Sequence, residues 1–212
     1  MEDFLSPNYK HEKLDKPSFD DLVDVFVDLW RHYIFVPVKC LIEMPYGDIA
    51  AMTVLCSYYE SIQSCITGKS SNRQSRKFFV NGFTRVFSSD DPNNEKAAGE
   101  IYKYIRCGLA HEGLLSHKVS YSHAGAKTFY LTYRNKPDGK LDFEAGVASI
   151  IVNPIRMYKG TEKHFNAYIE KLRSGDNQDL CDSFKKTVER QWGIGLGDNT
   201  VPITEAEFRG EA

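Results

Sequence analysis

The run Ile105-Arg106-Cys107-Gly108-Leu109-Ala110-His111-Glu112-Gly113 sets an arginine and a histidine five positions apart. Arginine keeps its charge throughout the physiological range and offers a planar fork of N–H donors that matches phosphate oxygens. A neutral imidazole takes up a proton near neutral pH. Together the two side chains can hold a phosphate and move a proton beside it without a metal. The spacing alone carries little weight, because ten arginines and six histidines produce such a separation by chance about once. In an α-helix five residues turn through about 500°, leaving the two side chains about 140° apart. They converge only where the helix loosens or ends, and Gly108 and Gly113 bracket the place where it can. Lys103 and Tyr104 precede the pair and are candidates for contacting phosphate and base, although Tyr104 suits a core position equally well.

Each of these residues also has a plain reading. His111 can be a helix-terminal histidine bonded to free carbonyls, a position the helix dipole favours. Arg106 can pair locally with Glu100 or Glu112, although neither lies at the favourable three- or four-residue spacing. Its helical phase sets it well off the Ala97, Ile101 and Ile105 stripe, so neighbours do not force it inward. Glu60 falls opposite the apolar stripe of its own helix, where a solvated carboxylate is the ordinary outcome and a cleft-facing or partner-facing one the alternative.

Charge gives the motif a setting. The chain of 212 residues has a net charge of −2 and a pI near 6.3, which lacks the basic footprint of a nucleic-acid binder at the whole-chain level. Divided along the chain, residues 61–140 carry 13 Lys and Arg against 6 Asp and Glu, a net +7 between acidic flanks of −6 and −3. Arg73, Arg76, Lys77, Arg85, Lys103 and Arg106 lie there among aromatic residues, a composition that attracts phosphate and stacks bases. The competing reading is that these charges pair with the acidic flanks.

The elements that must position these residues are mainly helical. Residues 1–17 read as an arm outside the core. Ser18 with Asp21 forms a capping-box start, and Phe19 to Met44 reads as one helix or two, kinked or broken at Pro37. Asp48 to Thr67 carries a 3.6-residue apolar stripe of Ala50, Ala51, Val54, Leu55, Tyr58, Ile62, Cys65 and Ile66, with Gly68 as its C-terminal cap. Residues 72–88 and 94–110 predict two further helices, with Gly82 weakening the first. From His117 to Val152 the period changes to two, and turn signals at Ala124-Gly125-Ala126 and Pro137-Asp138-Gly139 divide an antiparallel sheet of three or four strands. Asn153-Pro154 restarts helix over 154–173, and a second follows over 178–191. The expected organisation is one domain over 1–212 with a β-rich insertion at 117–152 and a loosely structured tail from 193 to 212.

Five scattered cysteines, Cys40, Cys56, Cys65, Cys107 and Cys181, form no paired spacing for zinc or a disulfide framework, so neither a metal nor another cofactor is expected. The polar N-terminus lacks the apolar stretch of a secretory signal. The longest apolar-leaning uncharged run, Ile49 to Tyr59, falls well short of the ~20 residues that span a bilayer. A cytoplasmic protein without membrane partners is expected.

On the stretch IRCGLAHEG the sequence resembles the HEPN superfamily (higher eukaryotes and prokaryotes nucleotide-binding). These are all-helical domains whose ribonuclease members carry an arginine, four to six residues, and then a histidine. The resemblance extends more weakly over the helices from about residue 19 and the two after the sheet. Cys107 stands where the family often has a polar residue, and residues 117–152 look like an insertion into the minimal helical bundle. The resemblance implies a HEPN-like helical bundle that cleaves RNA without a metal, with Arg106 and His111 as the catalytic pair. It also implies a homodimer that brings two such pairs into one cleft, and an antitoxin or other defence partner in a toxin–antitoxin or antiviral system. A catalytically silent module that binds a nucleotide or a protein is the alternative, and a purely structural adaptor is a third reading.

Overall fold

The computed structural model describes residues 4–89, 93–112 and 116–194, with Ala206 and Gly210; for residues 4 and 109–112 it describes the backbone alone. The described residues are mainly helical with two small sheets.

Residues 4–14, expected to be an arm outside the core, are folded back and held. Strands β1 (Phe4–Ser6) and β2 (Tyr9–Lys10) form an antiparallel hairpin, followed by a short 3₁₀ turn over His11–Leu14. What sequence periodicity cannot show is the clasp that ties them down. The carboxylate of Asp28 is buried and accepts from Ser6 Oγ at 2.6 Å, Asn8 Nδ2 at 2.6 Å and the Asn8 backbone N–H at 3.0 Å, with His32 Nδ1 at 2.9 Å.

Helix α1 (Phe19–Leu29) starts on the expected box, in which Ser18 Oγ accepts from the Asp21 N–H and Asp21 accepts from the Ser18 N–H. Helical winding is not broken at Pro37. The chain widens into a π-helical stretch over Trp30–Phe35 and continues as α2 (Val36–Glu43), with Pro37 in the first turn of α2. The wide turn accommodates the missing proline N–H, so the winding runs on through it.

The single helix expected over Asp48–Thr67 is two, α3 (Asp48–Leu55) and α4 (Ser57–Thr67), joined at Cys56 and capped by Gly68 with φ +68°. The bend buries Met52 and Tyr59, which the straight stripe omitted, and leaves Ala50 exposed. Helix α5 (Ser75–Val86) crosses α4 at Gly82, where a β-carbon would land on the Tyr59 carbonyl oxygen. The residue that weakened the helix prediction is therefore what permits the crossing. Helix α6 (Asn94–Ile101) then passes into a π-helix over Tyr102–Glu112.

The insertion forms a mixed sheet, not an antiparallel one, in the order β3-β5-β4. Strand β3 (Val119–Tyr121) runs parallel to β5 (Leu141–Val152), and β4 (Phe129–Asn135) runs antiparallel to it. Two of the expected strand runs merge in β5 across a bulge. Tyr133 pairs with Val147 and Arg134 with Asp142, so residues 143–146 have no counterpart on β4, and Gly146 takes φ +76°. Past the bulge, Val147, Ile150 and Val152 turn to the core. Helix α7 (Pro154–Ser174), capped by Asn153 and ended by Gly175, leads to α8 (Gln178–Trp192). The tail expected to be loose lies, beyond Ile194, almost wholly outside the described residues. No helix among the described residues is long and apolar enough to cross a membrane.

The core is aromatic-rich. Phe26, Trp30, Phe35, Tyr58 and Phe165 interlock where α1, α4 and α7 meet, with ring centroids 5.0–6.3 Å apart. Tyr59, Phe79, Phe83 and Phe87 continue the cluster toward the sheet. Gly82→Ala should lower the melting temperature by roughly 5–10 °C, since overpacking against rigid backbone costs about 2–3 kcal/mol; calorimetry checks it. Burial raises the Asp28 pKa, but the bonds from Ser6 and Asn8, with the charge of His32, outweigh it and hold the carboxyl below its ordinary value. The clasp contributes fully above about pH 4 and is lost as pH falls through the depressed folded value. Hydrogen-exchange protection of the Asn8 amide should fall across that acidic window while α7 stays protected, and Asp28→Asn should abolish the transition.

Candidate functional site

Arg106 enters the structure from the π-helix. In this winding each N–H bonds the carbonyl five residues back, so residues five apart come onto the same face, as residues four apart do in an α-helix, instead of standing about 140° around the axis. The loosening that the Arg106–His111 spacing requires begins at Tyr102, before Gly108, and continues through position 111. The side chain of His111 and the whole of Gly113 lie outside the described residues.

The Arg106 side chain is 28% exposed and reaches α4, where Nη2 donates to Glu60 Oε2 at 3.4 Å. Its guanidinium carbon stands 5.8 Å from the Tyr102 ring centroid, within cation–π range. Glu60 is 17% exposed and turned toward this arginine, so the solvated reading does not describe it. One partner that the structure gives Arg106 is thus 46 residues away; the side chain of Glu112, which the sequence offered with Glu100, lies outside the described residues.

Arg106 and Glu60 line a groove of about 350 Å³ shared with Thr53, Ser57, Ser61, Ser64, Ser71 and Gln191. These hydroxyl residues were not singled out from the sequence. The available signal was a second stripe on the 48–67 segment, with Thr53, Ser57, Ser61 and Ser64 recurring at three- and four-residue intervals along one flank of the apolar one. Thr53, Ser57 and Ser64 donate to nearby helix carbonyls at 2.7–3.3 Å, which orients their oxygens and leaves acceptor capacity toward the groove. The groove thus has a hydroxyl wall and a cation held against an anion.

Two thiols adjoin the pair. Burial pushes the Cys56 thiol up to about 12 against the opposing charge of Arg106, and Cys107 is partly exposed. Burial, then hydrogen bonding with Cys107, raises the Tyr102 phenol above its ordinary value.

Lys103 and Tyr104 are not brought to this groove. Lys103 Nζ sits 4.8 Å from the Tyr104 ring centroid, while Lys118 Nζ sits 5.1 Å from it and donates to the phenol oxygen at 3.3 Å and to the Val147 carbonyl at 3.2 Å. The Lys103 ammonium, with Lys118 adding to it, holds the Tyr104 phenol below its ordinary value despite burial. Tyr104 also packs against the core edge.

The basic residues expected to act together divide as well. Arg85 Nε donates to Gln63 at 2.9 Å. Arg73, Arg76 and Lys77 instead share an open basin of about 900 Å³ with Lys96 and Tyr102. Among the described residues no group of three or more His, Cys, Asp and Glu side chains is arranged to hold a metal.

No family model matches the chain, and neither the curated proteins nor the solved structures contain a match to it.

The thiols allow a direct check of this packing. Iodoacetamide at pH 8 should label Cys40 and Cys107 in the native protein, as read by peptide mass spectrometry. Cys56, Cys65 and Cys181, all buried, should label only on unfolding.

Proposed function

We propose that the chain is a metal-independent endoribonuclease of the HEPN type, acting through Arg106 and His111 as a homodimer and serving a toxin–antitoxin or antiviral defence system. The observation that carries this reading is the π-winding over Tyr102–Glu112, which stacks positions 106 and 111 on successive turns. Arg106 opens from that helix onto a hydroxyl-lined groove.

In the reaction the ribose 2′-hydroxyl attacks the adjacent phosphorus. A bond from phosphorus to the 2′-oxygen forms as the bond to the 5′-oxygen of the next nucleotide breaks, leaving a cyclic phosphate and a 5′-hydroxyl. His111 takes the proton from the attacking hydroxyl or returns one to the leaving oxygen. Arg106 holds the phosphate and neutralises the charge growing on its oxygens. Glu60 fixes the guanidinium fork by engaging one of its N–H donors.

The same Glu60 carboxylate favours a second reading, a catalytically silent module that binds a nucleotide or a protein, because it opposes an incoming anion and gives Arg106 a structural partner. Incubating the purified chain with RNA in excess chelator separates the two. The nuclease reading expects cleavage to cyclic phosphate ends and a loss of at least about 100-fold in His111→Ala and in Arg106→Ala. An intact RNA after incubation with folded, dimeric protein would leave the silent module.

A further inference from the structure

We propose that the β insertion is the base-binding half of a single-stranded RNA track, with Tyr133 and Phe143 stacking bases and the basin around Arg76 and Lys96 holding the adjoining phosphates. The direction of the track, toward Arg106, rests on the proposed nuclease activity; the binding itself does not.

A cleft of about 660 Å³ lies between the end of α5, the start of α6 and the β4–β5 face, lined by Phe87, Phe129, Tyr133, Phe143 and Lys127. Its floor is fixed, because Phe129 packs on Phe83 at 5.5 Å and on Phe87 at 6.4 Å. Phe87 in turn lies against Gly160, where a β-carbon would collide with its ring. Its outer wall is more open, with Tyr133 only partly buried where it packs against the core. Tyr133 and Phe143 meet edge to face at 4.8 Å, and Phe143 is 54% exposed.

Phe143 is there because of the bulge. The register jump between Tyr133 and Arg134 loops residues 143–146 out of β5, and Asp142 Oδ1 closes the loop by accepting the Glu144 and Ala145 N–H groups at 3.1 Å. Bulges commonly re-aim a side chain beside a site. This one carries a phenylalanine into water next to a tyrosine, an arrangement that core packing does not require.

The first turns of α6 form the ridge between this cleft and the basic basin. Lys96 bridges them, since it lines the basin while its Nζ stands 5.2 Å from the Tyr133 ring centroid. Among the described residues the basin is lined by Arg73, Arg76, Lys77 and Lys96 and by one acid, Glu95. Arg76 reaches α6 at Gly99, where a β-carbon would come to 3.0 Å from its Nη2. Tyr102 closes the far end and touches Arg106. From Arg106 outward the surface therefore reads cation, aromatic ring, four cations, then two aromatic rings. A single strand can follow that surface, with its phosphates along the cations and its unpaired bases turned to the rings, whereas a duplex keeps its bases stacked inside and cannot reach the rings.

The test measures binding of a fluorescent 2′-O-methyl oligonucleotide, which lacks the attacking hydroxyl, by anisotropy with the full chain. Tyr133→Ala and Phe143→Ala should each weaken binding by about 5- to 100-fold, and Tyr133→Trp should restore it. Arg76→Ala with Lys77→Ala should reduce the slope of log affinity against log salt by roughly 1.4. A hairpin of the same sequence should bind at least about tenfold more weakly than the single strand. Unchanged affinity in both aromatic variants, or equal affinity for an abasic oligonucleotide, would overturn base stacking. Failure of the wild type to bind any oligonucleotide would overturn the track and leave the cleft to a protein segment. Tight binding with the expected losses, alongside no cleavage of unmodified RNA, would uphold the track while removing the nuclease.

Discussion

Tyr59 is the point on which the helical body turns. Its carbonyl oxygen sits against Gly82 of α5, and its hydroxyl pairs with Thr161 of α7 at 3.0 Å in a fully buried setting. The preceding residue, Tyr58, reaches His164 of α7 at 2.8 Å. Two adjacent phenols thus lock one turn of α4 to α7, and neither oxygen is left without a partner in the interior. Glu60 follows directly and leaves on the opposite side, so its carboxylate is held by the same lock. The position of Arg106 depends on this arrangement at one remove, because Glu60 is where its guanidinium docks.

Much of the architecture was legible because it is written locally. The box at Ser18, the cap at Gly68 and the Asn153-Pro154 restart are each decided within four residues. The change of period at residue 117 likewise located the insertion. What escaped was set by distant partners or by winding. The break at Cys56 leaves the apolar stripe nearly continuous, so periodicity reads through it. The parallel placement of β3 depends on which edge of β5 remains for it, which alternation along β3 does not encode. The N-terminal hairpin is held by a carboxylate some twenty residues further on, and no pattern within residues 1–17 announces it.

The candidate site divides in the same way. Arg106 was recognisable from its type and its phase, but its partner Glu60 and the hydroxyl wall come from helices packed beside it. The net +7 of the middle segment also proved uneven. Arg85 and Arg106 are engaged by α4, Lys103 and Lys118 by Tyr104, and the cations facing the open basin come from the start of α5 and from α6. Summed charge therefore located the region, while the distribution of its partners located the surface.

The π-winding over Tyr102–Glu112 has a consequence for how such a segment changes over generations. Return of the segment to ordinary α-winding at unchanged length would set positions 106 and 111 about 140° apart. Loss of one residue between them would instead leave them four apart, about 40° from one another and still on one face. Loss of one residue between Tyr102 and Arg106 would give no such compensation. Whether the two positions share a face therefore depends on where a change of length falls, and not only on whether the helix keeps its place beside α3 and α5.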